Sequence, residues 1–447
     1  MKLRTDDRTR RTVTFFINFV SVVILTVVFY KIWMRYFLEF AYFYKIGNYA
    51  ITAVYSIFLV MFNVFFGGYN IGYAKVSDLI FSQMIAMFFA NTVLYVIADL
   101  VARYIVPARP FVIYFLVEVA IATVLLIISN LIYYHIFPPR KAILIYEQDD
   151  PSVEMRIRKY QANSYTIETK EEFKDAREHF EELKNYDCVI ASGLTSNHKS
   201  RLVHACYEMR RNIYIIPDVY DVIVNSATNA YLVDTPVFKA GNFGPSQTEK
   251  IFKRVFDIFF AVVLLVLASP FMLVTALAIK LEDHGPVFYK QTRLTQYGRE
   301  FGIIKFRSMR VDAEKDGVAR LASEHDSRIT KVGRFIRACR IDELPQLINI
   351  LKGDMSVVGP RPERPELIKD ILKEVPEFNY RLAVKAGLTG YAQVYGKYNT
   401  KTKDKLLFDL IYIENYSFFL DIRIMFMTFK ILFMKESTEG VEDEAHE

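Results

Sequence analysis

The chain has 447 residues, of which 52% are hydrophobic and 15% aromatic, with 37 Phe and 29 Tyr. That length implies two or three domains, and so much apolar and aromatic mass argues against an ordinary soluble protein and for a membrane one, with Tyr and Phe at the lipid interface. The net charge of +6 suits anionic headgroups and phosphorylated substrates rather than nucleic acid, and Cys188, Cys206 and Cys339, with no CxxC or Cys/His cluster, exclude a disulfide framework and a zinc site, which puts the soluble parts in the cytoplasm.

Residues 1–11 form a basic N-terminus carrying Lys2, Arg4, Arg8, Arg10 and Arg11 against Asp6 and Asp7. Four apolar stretches follow within 12–138, at 12–33, 48–66, 79–102 and 110–137. Each approaches the ~20 residues a helix needs to cross the hydrocarbon core. The first is too long for a signal-peptide core and no small-residue cleavage site follows it. The positive-inside rule then predicts a cytoplasmic N-terminus, and four crossings return the chain to the cytoplasm at Arg140 and Lys141. Gly67 and Gly68 cut the second stretch short. Asn63, Asn91, Asp99, Glu118 and Asn130 lie in or beside the spans. Helix–helix hydrogen bonding is the preferred reading for them, and an intramembrane functional site the alternative.

Residues 139–250 are polar and alternate strand with helix. Strands are predicted at 142–146, 164–169, 188–191 and 213–216, with helices near 171–184 and 196–211. This rhythm predicts a small parallel, Rossmann-like sheet. The Gly-rich phosphate turn is missing, and the first strand runs into Glu147-Gln148-Asp149-Asp150-Pro151. Carboxylates there would repel a pyrophosphate, so a scaffold or regulatory module is preferred to a nucleotide site. Lys253-Arg254 then opens an apolar run at 255–279, closed by Lys280, Glu282 and Asp283. Ser269-Pro270 inside it predicts a bend, and length alone does not separate a kinked span from a re-entrant hairpin.

From Gly285 to about Tyr398 the chain is dense in phosphate-binding residue types. Gly285-Pro286-Val287-Phe288 precedes Gln291 and Arg293, then Lys305-Phe306-Arg307-Ser308-Met309. Gly333-Arg334 and Arg337 lead into Asp342-Glu343-Leu344-Pro345-Gln346. Leu351-Lys352-Gly353-Asp354-Met355-Ser356, Gly359-Pro360-Arg361-Pro362 and Gly387-Leu388-Thr389-Gly390-Tyr391-Ala392-Gln393 complete the series. Adjacent carboxylates near arginines can divide the work: one attacks a phosphoryl group, and the other binds Mg²⁺ or handles a proton. Arginines would neutralise a diphosphate and its leaving group. Arg337 comes within reach of Asp342 if the residues between are helical. Flanking prolines give Arg361 a stiff, extended backbone. Alone, an Asp-Glu pair is usually a solvated helix end, Gly-Pro-Arg-Pro only a turn, and Lys-Phe-Arg a strand edge. His284 and His325 lack ligand-spaced partners and read as surface histidines, and GxxxxGK[ST], GxSxG and HExxH are absent.

In that order and spacing, residues 251–435 resemble the bacterial sugar transferase family, the monotopic phosphoglycosyl transferases. The resemblance rests on Lys253-Arg254 with Asp257, Ser269-Pro270, Gly285-Pro286-Val287-Phe288, Lys305-Phe306-Arg307-Ser308-Met309, Asp342-Glu343-Leu344-Pro345-Gln346, Gly359-Pro360-Arg361-Pro362 and Gly390-Tyr391-Ala392-Gln393-Val394. The four-helix and Rossmann-like segments match the large form of the family. The resemblance implies transfer of a hexose-1-phosphate from a UDP-sugar to undecaprenyl phosphate, with UMP released, as the first membrane step of exopolysaccharide, capsule or O-antigen synthesis. It implies Asp342 as nucleophile and Glu343 assisting through Mg²⁺, bound by Asp342 and Glu343, or through proton handling. It implies Lys305, Arg307, Arg337 and Arg361 as phosphate-binding residues, and Ser269 and Pro270 as the bend of a re-entrant membrane helix at 251–283. Residues 284–435 would then be an α-rich catalytic domain on the cytoplasmic face of the bacterial inner membrane, since a full span would carry it away from cytoplasmic UDP-sugars. The family usually has glycine near Thr295, so the turn before Gly298 departs from its pattern.

The fold class expected is therefore membrane α-helical plus α/β. The stretch 406–433 is apolar but interrupted by Asp409, Glu414, Asp421, Arg423 and Lys430, which fits an interfacial helix or a core helix equally. An acidic tail occupies 436–447 and reads as disordered. Two rival readings stay open: an NAD-dependent membrane enzyme acting on a sugar nucleotide, and an inactive scaffold or sensor of a polysaccharide export complex. No residue selects the sugar, with glucose or galactose following only from the large members, and a homodimer through the membrane or middle domain is compatible with the chain.

Overall fold

The structure is a computed structural model describing residues 7–37, 45–241, 244–311, 326, 328–396 and 400–432. The expectations for Lys2, Arg4, Asp6, His325 and the segment 436–447 lie outside the described residues. The chain divides into two compact units between Ile216 and Pro217.

The first unit opens with α1 (Asp7–Ile32), extended by a π-helical turn at Trp33–Phe37, then α2 (Lys45–Phe66), α3 (Val76–Ala102) and α4 (Ala108–Ile136). All four are long and apolar enough to cross a membrane, matching the four stretches read from hydropathy. Arg10 near the start of α1 donates to Pro138 O at 3.1 Å and lies over the Phe137 ring. The beginning of α1 and the end of α4 therefore lie at one end of the bundle. Helix–helix hydrogen bonding accounts for the buried Glu118, which accepts from Tyr55 of α2 and Asn91 of α3. Asn63 and Asn130 instead donate to carbonyls of their own helices, and Asp99 accepts from Val106 N.

Beyond α4 the chain forms β1 (Arg140–Tyr146), α5 (Pro151–Tyr160), β2 (Tyr165–Glu172), α6 (Phe173–Glu178), β3 (Cys188–Ser192), α7 (Ser196–Glu208) and β4 (Asn212–Ile215). The strands pair in parallel in the order β2-β1-β3-β4. Helix α5 was not among the predicted elements, although Asp150 accepting from Ser152 N, followed by proline, is a strong local start signal. The carboxyl end of β1, where a Rossmann fold binds phosphate, is filled from within. Glu147 accepts from Thr195 N at 2.8 Å and pairs with His198 at 2.9 Å at the start of α7. Its own carboxylate thus covers the helix N-terminus that an anion would use.

The second unit begins at Pro217, earlier than the boundary at 250 expected from sequence. The reason is packing. α8 (Val219–Asn225) places Val222 in the core of this unit, Ser226 donates to Glu414, and Lys403 pairs with Asp218. An antiparallel hairpin, β5 (Thr228–Leu232) and β6 (Thr235–Lys239), follows. α9 (Gln247–Asp283) starts at a Ser246–Glu249 capping box and ends at His284, whose φ of 56° closes the helix. It is also long and apolar enough to cross a membrane, and it runs through exposed Ser269 and Pro270.

Next come β7 (Phe288–Leu294) and β8 (Glu300–Phe306), paired antiparallel, then α10 (Lys331–Ala338), α11 (Gln346–Lys352), β9 (Ser356–Val358), α12 (Pro365–Glu374), a 3₁₀ segment at Pro376–Ala383, β10 (Gly387–Thr389), α13 (Tyr391–Tyr395), α14 (Thr402–Glu414) and α15 (Phe418–Leu432). Leu347, Ile350, Met355, Val358, Leu406 and Leu410 form the centre of one core. Over the described residues 406–432 the stretch packs into this core through Leu406, Leu407, Leu410, Ile413 and Ile424, and it breaks between α14 and α15. Two of its charges are buried in pairs: Asp421 bonds Lys253 at 2.6 Å and Tyr412 at 2.8 Å, and Asp409 bonds Arg381 at 2.8 Å, whereas Arg423 is exposed. Thr295 has extended backbone, so no glycine is required there, and the left-handed positions of that turn are Tyr297 and Gly298. The Thr295 hydroxyl ties Asp354 O to Ala386 N.

Candidate active site

Asp342 and Glu343 sit on a 3₁₀ turn, Ile341–Glu343, between α10 and α11. Arg340, at φ 53°, reverses the chain after α10, and Pro345 then opens α11. Leu347 and Ile350 hold α11 in the core, so the acidic pair projects from a rigid support. Arg254 reinforces it by donating to Ile350 O at 2.6 Å and Leu351 O at 2.8 Å, carbonyls of the last turn of α11. Asp257 accepts from the Ser356 hydroxyl and Val357 N, both at 2.9 Å. Lys253, Arg254 and Asp257 are therefore anchors of α9 on this core.

Two cations converge on Glu343. Lys305 Nζ, from β8, lies 3.1 Å from Oε1, and Arg361 Nη2 lies 3.0 Å from the same oxygen. Burial alone would push the Glu343 carboxyl up, but Lys305, Arg361 and Arg340 outweigh it and hold the group well below the carboxylate range. Asp342 behaves oppositely. Burial first, and then the negative charge of Glu343, push it up to about 6 against the pull of Lys305, Arg337 and Arg361. Its carboxylate hydrogen-bonds to no described residue. The pair is thus one carboxylate whose cations favour its ionised form beside a more basic one with free lone pairs, the division of labour expected of a nucleophile and its electrostatic partner.

Arg361 lies in the turn after β9. Gly359, Gly387 and Gly390 let backbone approach backbone here: a Cβ on Gly387 would lie 2.1 Å from Gly359 N, and one on Gly390 2.2 Å from Gly359 O. Arg337, on α10, acts on Asp342 through its charge, and its guanidinium bonds to no described residue. Arg307 differs from the expected role. It is buried and paired with Asp283 at the end of α9, packed against Gly285, with Nε and Nη1 unpartnered. The structure thus joins Lys305, Arg337 and Arg361 to the acidic pair, whereas Arg307 ties down α9. His284 is an exposed helix cap.

No group of three or more His, Cys, Asp or Glu able to hold a metal occurs among the described residues. The Asp342–Glu343 pair still fits Mg²⁺ in its usual mode, in which one or two carboxylates are completed by substrate phosphates and water. Lys305 and Arg361 both use Oε1 of Glu343, so no described residue bonds Oε2. Sequence reasoning noted Asp409 only as a charge interrupting an apolar stretch and missed its partner Arg381, although a charged residue inside an apolar helical run is itself a signal for a buried partner.

A rigid acidic pair ringed by cations, beside a long apolar helix, defines the class as a membrane-associated domain built for phosphate chemistry. Residues 248–435 match the bacterial sugar transferase family model. The chain is 38% identical over 253 residues, 55% of its length, to a UDP-N-acetylgalactosamine-undecaprenyl-phosphate N-acetylgalactosaminephosphotransferase of Aeromonas hydrophila, covering 59% of that protein. It is 38% identical over 233 residues, 51% of its length, to a UDP-glucose:undecaprenyl-phosphate glucose-1-phosphate transferase of Escherichia coli (strain K12), covering 50% of that protein. It thus spans between half and three fifths of these two relatives. It is 40% identical over 197 residues, 44% of its length, to an uncharacterised sugar transferase of Bacillus subtilis (strain 168), covering 93% of it. The chain belongs to the bacterial sugar transferase family.

Proposed function

We propose that this protein transfers a hexose-1-phosphate from a UDP-sugar to undecaprenyl phosphate, releasing UMP. The observation that carries the reading is Asp342: a carboxylate without a hydrogen-bond partner among the described residues, more basic than usual, facing Lys305, Arg337 and Arg361. An Asp342 oxygen attacks the β-phosphorus of the UDP-sugar, the bond from that phosphorus to the bridging oxygen breaks, and UMP leaves with the electron pair. A phosphate oxygen of the polyprenyl carrier then attacks the same phosphorus and the aspartyl oxygen leaves, restoring the carboxylate. Lys305 and Arg361 hold Glu343 ionised and lend positive charge to the phosphates, while Arg337 is free to bind one. A glutamate so stabilised as an anion is ill suited to carry protons near neutral pH, which favours the metal-ligand role for it. Mg²⁺ bound by Asp342, Glu343 and the diphosphate would neutralise charge on the leaving UMP.

The anchors of α9 support reading it as a re-entrant membrane helix. Arg254 and Asp283 are 29 residues apart (283 − 254), about 44 Å along a straight helix. Yet both are tied to one small unit, Arg254 to α11 and Asp283 to Arg307 just past β8, and Asn349 joins α11 to β8 through Ile304 N and Gly302 O. Between the anchors Val266, Leu267, Phe271, Leu273 and Val274 are exposed. A helix bent at Pro270 that dips into one leaflet and returns satisfies both facts, and it keeps the catalytic domain on the cytoplasmic face of the inner membrane. The test is direct. Protein in lipid nanodiscs with Mg²⁺, undecaprenyl phosphate and a panel of UDP-sugars should release UMP, and Asp342→Asn should not. Full activity in that variant would refute the assignment.

A further inference from the structure

The 360–363 turn carries Arg361 to Glu343, yet it contains two prolines and so lacks two of the amide donors that usually brace a turn. It is held through its carbonyls instead, and each of four consecutive ones accepts a hydrogen bond. Pro360 O accepts from Gly387 N at 2.9 Å and Glu363 O from Leu294 N at 3.0 Å. Pro362 O accepts from Arg293 Nη1 at 3.2 Å, and Arg361 O from Arg381 Nη2 at 2.9 Å. The bond to Arg361 itself therefore comes from a side chain, and that side chain is only 5% exposed.

Arg381 is in turn fixed on the other side. Its Nε and Nη2 both lie 2.8 Å from Oδ2 of Asp409, a residue of α14 that is 1% exposed, and its guanidinium stands 4.8 Å from the centre of the Phe378 ring. A planar fork can hold a carboxylate and a carbonyl at once in fixed geometry, which a lysine ammonium on a flexible stem cannot. By contrast the Arg361 side chain is 44% exposed, and its one bond to another side chain among the described residues goes to Glu343. Its aim therefore depends on its backbone.

We propose that Arg381 and Asp409 are positioning residues that clamp the Arg361 carbonyl and thereby hold its guanidinium over the acidic pair. The inference rests on the catalytic reading above. A purely structural role for this buried ion pair predicts lost stability without specific dependence on Arg361, and a double-mutant cycle separates the two. UMP release is measured for the full chain in nanodiscs as wild type, Arg381→Lys, Arg361→Gln and the double variant. Arg381→Lys alone should lower kcat by about tenfold, and by less than about twofold once Arg361 is Gln. Losses that multiply would overturn the proposal. A second readout is independent of turnover: phenylglyoxal modification of Arg361, mapped by mass spectrometry, should be several-fold faster in Arg381→Lys than in wild type. An unchanged rate refutes the clamp whatever the activity shows. Asp409→Asn, which keeps the side-chain shape, is scored the same way where the lysine variant melts early. Wild-type protein that releases no UMP from any UDP-sugar counts against the catalytic reading alone, because the modification rates still decide this one.

Discussion

Replacing Glu343 with Gln isolates the charge coupling at the site. In the wild type, burial and the Glu343 anion raise Asp342 to about 6, while Lys305, Arg337 and Arg361 pull it down. On the proposed mechanism Asp342 attacks as the carboxylate, so the rate should fall about tenfold per pH unit below that value and level off above it. Two carboxylates about 6 Å apart at an effective dielectric of about 20 repel by about 3 kcal/mol, equivalent to about 2 pKa units. Asp342 is only part-buried, and solvent screening reduces this to about 1–2 units. Glu343→Gln leaves burial and the three cations in place, so the acid limb should move down, to between about 4 and 5. The plateau should also fall, because a less basic carboxylate is a weaker nucleophile. The assay is the burst of UMP from UDP-sugar without lipid acceptor, from pH 4 to 8. Omitting the acceptor matters because a phosphate monoester itself titrates near pH ~6. A limb that stays at about 6, or moves up, would refute the claim that Glu343 sets the basicity of Asp342.

The charge of Lys305 works in the opposite direction, so Lys305→Met should raise the acid limb of the same burst by about one unit. Lys253→Met leaves Asp421 buried with Tyr412 but without its cation, and should cost about 3–5 kcal/mol, read as a lower denaturation midpoint of the purified protein. Asp342→Asn should abolish the phosphosugar adduct that mass spectrometry traps in the wild type, and an adduct on any other residue would displace the nucleophile. In a Cys339→Ser background, single cysteines at Ile251 and Leu281, both exposed at the two ends of α9, should react with an impermeant maleimide from the same face of the membrane. Labelling from opposite faces would make α9 a full span.

Family, reaction class and acidic pair were legible because their signals are local. Asp342 and Glu343 are neighbours, and Pro360 and Pro362 stiffen Arg361 whatever surrounds them. The four apolar stretches were legible for another reason: in lipid every backbone polar group must be satisfied within its own segment, so hydrophobic length alone specifies a helix. The missing glycine turn after β1 likewise announced that this sheet departs from nucleotide binding, and Glu147 on the start of α7 shows what fills the place.

What the tertiary structure decided was pairing across distance. Arg307 and Lys305 share one motif, yet one turns to Asp283 and the other to Glu343, a choice made by where α9 ends and not by spacing. The segment from 217 to 250 carries no boundary signal of its own, and it belongs with the second unit because Val222 and Ser226 find α14. Asp409 and Asp421 fit an interfacial helix and a core helix equally until Arg381 and Lys253, 28 and 168 residues away, are seen to bury with them. Hydropathy counts a charge as exposed, but a charge matched in the core is affordable there, and only the fold supplies its partner.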